Sequence, residues 1–289
     1  MFEKVLVPTD FTDEADRVLT YVKGLKAFGL REITLIHVVD IGRAVVWPLP
    51  SALTNAIESR LEERREQLEG EGFVARTVLS EGDPSDEILK TASANNYSMI
   101  VTGSHGKRLI EEILLGSVSE AISRESKIPV LLIRYDILKD IEKAKPLERY
   151  AVETFKKVLL PLDFSLVSQE SVAVVKKLAE TGVKEVVALH IVDTKRLETE
   201  QEKTERLQAC RAESGRIGAD LKKAGLKVEL VCHAGDPLSE ILAVADKAEA
   251  SLIVMGSHGK GVVKEWLVGS VSLNVIRTAD RPALVVHRG

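Results

Sequence analysis

The chain has 289 residues, 45% of them hydrophobic and 29% charged, with a net charge of -4 at pH 7 and a sequence pI near 6.0. That is an ordinary globular composition with room for two domains. It offers no basic surplus for a nucleic-acid partner, no apolar run approaching the roughly 18 residues of a membrane helix, and, in MFEKVLVPTD, neither the basic nor the long apolar region of a secretory signal.

The elements follow in chain order. Val5–Pro8 is a short apolar run that ends before Asp10, and Thr12 is placed to cap a helix with Asp13 and Glu14 in its first turn. Val18, Leu19, Val22 and Leu25 recur at helical spacing in that helix. Ile33–Val39 is rich in β-branched residues and predicts a buried strand. Ala52–Leu68 predicts a charged helix and Val74–Leu79 a strand. GDPSDEILKTASANN opens another helix, with Asp83 or Ser85 at the cap and Pro84 at the entry. Ser98–Thr102 is a strand running into a glycine-bearing loop, Ser117–Arg124 a helix, and Val130–Ile133 the closing strand. Strand runs alternating with amphipathic helices predict an α/β fold with a parallel sheet covered on both faces.

The pattern is then written again. VLVPTDF (Val5–Phe11) returns as VLLPLDF (Val158–Phe164), LIHVVD (Leu35–Asp40) as ALHIVD (Ala188–Asp193), and EGDPSDEIL (Glu81–Leu89) as AGDPLSEIL (Ala234–Leu242), each pair 153 positions apart. A constant offset at this length means a duplicated domain rather than a solenoid. The expected division is a first domain over 1–135, a linker with a short helix over 136–154, and a second domain over 155–289. The two cysteines, Cys210 and Cys232, form no CxxC and are too few for a disulfide framework or a zinc cluster. A reducing, cytoplasmic setting is therefore the expectation.

The most informative stretch is GSHGKRLIEEILLGSVSE (Gly103–Glu120), nearly repeated as GSHGKGVVKEWLVGSVSL (Gly256–Leu273). Gly103 and Gly106 follow a strand, where a residue without Cβ is free to take positive φ and leave its N–H open. Gly116-Ser117 starts a helix whose first N–H groups are unpaired and carry partial positive charge. Loop and helix end together suit an anion, phosphate above all. The plainer alternative is a strand-to-loop turn followed by an ordinary helix start. Retention of every motif position in the second copy, while RLIEEILL drifts to GVVKEWLV, favours the anion site. Walker A is excluded, because valine stands five residues before each Gly-Lys. The GxGxxG fingerprint is excluded because Gly259-Lys260-Gly261 is completed by Lys264.

The pattern G-x2-G-x9-G-S, with an early Pro-x-Asp and a HVVD-type strand end, resembles the ATP-binding subgroup of the universal stress proteins, here in tandem. The resemblance runs from Val5 to Ile133 and again from Val158 to Val286. It implies two five-stranded parallel sheets in order 3-2-1-4-5, a Rossmann-like fold related to the adenine nucleotide alpha hydrolases, and bound ATP (or AMP or ADP) with Mg2+ or Mn2+. By the same resemblance Pro8, Thr9 and Asp10, and Pro161 and Asp163, meet the nucleoside. Val38 and Ile191 meet adenine through their backbones. Gly103, Gly106, Gly116, Ser117 and Val118, with Gly256, Gly259, Gly269, Ser270 and Val271, hold phosphates. Leu162 stands where Thr9 stands in the first copy, Gly261 opposite Arg108 and Met255 opposite Thr102, so unequal affinity at the two sites is expected.

The remaining polar residues have plainer roles. Asp10 and Asp163 either touch ribose or take N–H groups of the next turn. His105 and His258 brace the loop rather than act as bases, and Lys107 and Lys260 face solvent or a terminal phosphate. His37 and His190 read as core histidines satisfied by backbone. Residues 41–56 are apolar and form a lid, a contact surface or a packed loop, whereas 194–209 is a charged solvated helix. The functional expectation is a regulatory or protective stress protein that binds adenine nucleotide, with no catalytic residues and at most slow ATP hydrolysis. The chain would supply in one molecule the pairing that single-domain relatives make as a homodimer, with Val130–Ile133 and Ala283–Val286 at the pairing edge; further dimerisation is also open. The rivals are an ATP-dependent transferase or pyrophosphatase on the same fold, and a nucleotide-free interaction module. The first lacks a Ser-Gly-Gly-x-Asp-Ser loop in this sequence.

Overall fold

The structure is a computed structural model that describes residues 2–42, 48–104, 107–109, 112–114, 116–197, 199–258 and 269–288. The first copy runs β1 (Lys4–Pro8), α1 (Asp13–Gly24), β2 (Glu32–Asp40), α2 (Ser51–Gly70), β3 (Val74–Gly82), α3 (Pro84–Ala94) and β4 (Met99–Ser104). A small hairpin of β5 (Lys107–Leu109) and β6 (Glu112–Leu114) precedes α4 (Ser117–Glu125) and β7 (Val130–Arg134). After α5 (Tyr135–Glu142) and α6 (Leu147–Thr154), the second copy runs β8 (Lys157–Leu162), α7 (Leu166–Thr181), β9 (Glu185–Asp193), α8 (Glu200–Lys223), β10 (Lys227–Gly235), α9 (Pro237–Lys247), β11 (Leu252–Gly256), α10 (Ser270–Thr278) and β12 (Ala283–Val286).

Local chemistry accounts for the starts of these elements. Thr12 accepts the Ala15 N–H at 3.3 Å to cap α1. Asp83, not Ser85, caps α3, taking the N–H groups of Ser85 and Asp86 at 2.9 and 3.2 Å, with Pro84 in the first turn. The strands are apolar and β-branched because both faces of the sheet are covered.

Within each copy the strands are parallel and lie in the order 3-2-1-4-5: β3-β2-β1-β4-β7 and β10-β9-β8-β11-β12. The fifth strands then pair with each other, antiparallel, with Leu131 opposite Leu284 and Val130 opposite Val285. Among the described residues the result is one 10-stranded sheet. One face carries α1, α2 and α5–α8 over a core that includes Val18, Leu61, Leu138, Ala151, Val175 and Leu221. The other carries α3 and α4, then α9 and α10, over Ile88 and Ile122, and over Ile241 and Val275.

Two features depart from the expectation. The stretch between the copies holds two helices, not one, because Leu138, Leu147 and Ala151 give it apolar faces that bury fully against the first copy. The contact is close at Gly24, where a Cβ would lie 2.4 Å from the Glu148 carbonyl oxygen. The glycine loop, expected to be irregular, contains the β5–β6 hairpin.

Candidate functional site

The carboxyl ends of the first and fourth strands of each copy bound a crevice where the strand order reverses, the usual ligand position in a doubly wound sheet. In the first copy Pro8, Thr9 and Asp10 stand at the end of β1, Val38 lies near the end of β2, Gly103 sits in the last turns of β4, and Gly116, Ser117 and Val118 open α4. The second copy brings its counterparts round one space. A cavity of about 760 Å3 is lined by Pro161, Asp163, Ile191, Gly256, Gly269, Ser270 and Val271, among others. Those seven are every described member of the expected second site. Gly106 and Gly259, with His105 and Lys260, lie outside the described residues.

The helix starts have a particular chemistry. Gly116 and Gly269 are the N-caps of α4 and α10, and neither cap has a side-chain hydrogen bond. Ser117 is thus the first residue inside its helix rather than the cap, and the first-turn N–H groups have no partner within the helix. Among the described residues, the motif glycines do not act through positive φ. Gly116 and Gly269 have φ of -60° and -62°, and Gly103 and Gly256 are strand residues. Their lack of Cβ serves packing instead. At Gly103 a Cβ would fall 2.0 Å from the Tyr135 ring, and at Gly256 it would fall 2.8 Å from Val167. Tyr135, the first residue of α5, thus fills the notch behind the first site. Burial, with Asp10 and Glu14 nearby, pushes its phenol pKa up.

The sequence reading missed an anchor that recurs in both copies. The Ser119 hydroxyl donates to the Gly103 carbonyl at 2.6 Å, and the Ser272 hydroxyl donates to the Gly256 carbonyl at 2.8 Å. Each ties the first turn of α4 or α10 to the end of the adjacent strand. The signal was present in the repeated GSVS, where the second serine was passed over.

The loop after the first strand is also built the same way twice. Phe11 and Phe164 take φ of 61° and 59°, a left-handed conformation costly for an aromatic residue. Each ring lies on a histidine, Phe11 on His37 at 4.6 Å and Phe164 on His190 at 4.4 Å between centroids. His37 Nδ1 is 2.8 Å from the Thr9 carbonyl and His190 Nδ1 is 2.6 Å from the Leu162 carbonyl, so each ring donates to the loop it supports. Burial lowers the His37 pKa, which keeps it neutral. Asp10 Oδ1 accepts from the Thr12 N–H and hydroxyl at 3.1 and 2.6 Å, and Asp163 Oδ1 from the Ser165 N–H at 3.0 Å. The local role of the two aspartates is thus turn closure, and it presents the carboxylate at the crevice.

Further members of the second cavity come from outside the motif. Arg206, Cys210 and Glu213 reach it from α8, and Pro237 and Ile241 from α9. His258 lines it with Nδ1 3.1 Å from the Ser257 hydroxyl, a bracing contact. Within stretch 194–209, residues 200–209 form the start of α8, supported by Glu200–Lys203 and Glu202–Arg206 ion pairs. Of stretch 41–56, residues 43–47 lie outside the described residues. The expectation of reduced thiols is not met: Cys210 and Cys232 are joined in a disulfide. They are 22 positions apart in sequence, and α8 folding back along β10 brings them together.

Comparison with known proteins agrees with this fold. The sequence matches the model of the Universal stress protein family over residues 1–134 and 154–287. It is similar to the universal stress protein MJ0577 of Methanocaldococcus jannaschii, 32% identical over 155 aligned positions that cover 46% of this chain and 96% of that one. A universal stress protein of Mycolicibacterium smegmatis is 27% identical over 298 aligned positions, covering 98% and 96% of the two chains. The crystal structure of a universal stress protein from Archaeoglobus fulgidus has the same fold from end to end, with TM-score 0.76, 29% identity and 100% of both chains covered.

Proposed function

This chain belongs to the universal stress protein family, and from that premise we propose that each of its two domains binds an adenine nucleotide, ATP or its di- or monophosphate, and that the protein answers to that nucleotide in a regulatory or protective stress role. The observation that carries the reading is the convergence of Pro161, Asp163, Ile191, Gly256, Gly269, Ser270 and Val271 on a single cavity. Its volume of about 760 Å3 is in the range of ligand sites for molecules of this size.

Asp163 offers a carboxylate to ribose hydroxyls, and the backbone at Ile191 offers polar groups to the adenine edge. The uncapped start of α10, at Gly269-Ser270-Val271, offers N–H groups and a partial positive charge to phosphate. Asp10, Val38 and Gly116-Ser117-Val118 have the same parts in the first domain. Among the described residues no group of His, Cys, Asp or Glu is arranged to hold a metal, so Mg2+ or Mn2+ would enter on the phosphates. The antiparallel β7–β12 pairing supports the view that one chain makes internally the two-domain pair that single-domain relatives would make between chains. Among the described residues no helix is long and apolar enough to cross a membrane.

Calorimetric titration with ATP and Mg2+ tests the assignment. The native chain is expected to bind at two sites. Gly116→Val and Gly269→Val are each expected to remove one, because the added side chain would enter phosphate space. Parent-like binding by both variants would overturn it.

A further inference from the structure

We propose that Cys210 and Cys232 form a thiol–disulfide exchange site whose redox state sets the nucleotide affinity of the second domain and leaves the first unaffected. The nucleotide half of this statement rests on the function proposed above; the exchange site itself does not.

Comparison of the two copies within the chain is the first argument. Positions 57, 61 and 79 of the first copy, 153 residues before Cys210, Ser214 and Cys232, are Ile57, Leu61 and Leu79. All three belong to the apolar core or pack against it. The second copy replaces this apolar contact between helix and edge strand by two sulfurs and a hydroxyl. Packing gains nothing from the exchange, since the site must now satisfy a buried serine that is 1% exposed. What the exchange supplies is chemistry. The Ser214 hydroxyl lies 3.8 Å from Cys210 Sγ and 3.7 Å from Cys232 Sγ, where it donates weakly to either sulfur and stabilises a leaving thiolate.

Position in the wall is the second argument. Cys210 lines the candidate nucleotide cavity. Cys232 lines a different depression of about 590 Å3 together with Lys157, Arg211, Glu229, His233 and Lys247. The bridge therefore spans the partition between the nucleotide cavity and a second hollow in which Lys157, Arg211 and Lys247 outnumber the Glu229 carboxylate. Nearby cations favour the thiolate form and attract an anionic thiol. The chemistry fits a small thiol carrying carboxylates. Its thiolate attacks Cys232 Sγ, the S–S bond breaks, and Cys210 leaves as a thiolate that takes up a proton. A second thiol attacks the mixed disulfide and releases Cys232. In total two thiols give two electrons and two protons and become one disulfide.

Consequence for binding follows from α8. Two thiols cannot remain at bonding distance, so reduction removes the covalent link between α8 and β10 and leaves their packing alone to hold them together. The same helix carries Arg206, Ala209 and Glu213 on the cavity. The disulfide form holds that wall in place, and ligands gain from walls that need no ordering on binding.

The test uses the full chain equilibrated in reduced or oxidised glutathione, then alkylated and weighed. The oxidised chain is expected to take up no alkyl group and the reduced chain one at each cysteine. Hydrogen exchange of the α8 amides is expected to be slower in the oxidised chain. ATP–Mg2+ titration in a Gly116→Val background, which isolates the second site, is expected to show several-fold tighter binding when oxidised. The double variant Cys210→Ile, Cys232→Leu, which installs the first copy's own residues, is expected to ignore redox state. Cysteines that stay reduced in oxidised glutathione would sink the proposal, as would α8 exchange or ATP affinity that is equal in the two states. Absence of ATP binding in both states, with α8 exchange still redox-dependent, would sink the nucleotide assignment and leave the exchange site standing.

Discussion

At Gly103 the need for glycine comes from packing. The expectation was a glycine freed to take positive φ beside phosphate. In the structure it is an extended strand residue whose missing Cβ makes room for Tyr135. Gly103→Ala is therefore expected to destabilise the first domain by about 1–3 kcal/mol, the usual cost of overpacking, read as a fall in melting temperature. Since the strain arises from one ring, the Gly103→Ala, Tyr135→Ala double variant should be no less stable than Tyr135→Ala alone. Additive losses would mean the notch is not what fixes glycine there. The repeat displayed the glycine plainly, but its neighbour Tyr135, the first residue of α5, has no counterpart in any motif. The backbone bonds of His37 and His190 were legible, although both rings are half-buried rather than in the core, whereas the left-handed Phe11 and Phe164 they support were not, because aromatic residues have no propensity for that region.

At the scale of elements, the starts of α4 and α10 were read correctly from Gly-Ser, since a helix onset is a local event governed by the next few residues. Their attachment to the sheet was not, because the Ser119 and Ser272 bonds reach back 16 positions in sequence. Removing the Ser119 hydroxyl leaves the Gly103 carbonyl without its 2.6 Å donor. Because the Thr102 hydroxyl stays 3.4 Å from that carbonyl, Ser119→Ala is expected to cost about 1 kcal/mol, the usual net worth of one hydrogen bond, and to weaken ATP binding at the first site only; Ser272→Ala should do the same at the second. Chemical denaturation and titration together check this, and loss of stability with unchanged affinity at both sites would separate the anchor from the site. The two linker helices were underestimated because their sequence is charged. Their few apolar positions acquire meaning only once α1 is beside them.

For the whole molecule the decisive contact is between the two fifth strands. Around their antiparallel register each copy reaches into the other. Arg134 donates to the carbonyls of Thr278 and Ala279 at the end of α10. His287, at the corresponding place in the second copy, holds the Ser123 carbonyl of α4 at 2.8 Å, and Arg277 pairs with Glu120. His287 is buried, its Nδ1 has no partner among the described residues, and burial lowers its pKa, with the Ser123 and Ile128 carbonyls opposing and His258 assisting the shift. A histidine held neutral in the fold adds stability above its ordinary pKa near 6.5, and that stability is lost as pH falls below it toward the folded value. Melting temperature is thus expected to drop between about pH 7.5 and 5.5, and His287→Gln should flatten that part of the profile. An unchanged profile in the variant would assign the acid sensitivity elsewhere, His37 being the next buried imidazole.

Duplication, alternation of strand and helix, strand order by resemblance, and the glycine-serine helix starts were all determined by the amino-acid sequence alone. Each is carried by residues near one another in the chain, or by a fixed offset between two copies that can be compared directly. Tertiary structure alone decided that Tyr135 occupies the space above Gly103, that Cys210 meets Cys232 in a cavity wall, and that two linker helices complete the first core. Those contacts join positions far apart in the chain, and no local propensity encodes a pairing whose energy comes from burying both partners at once.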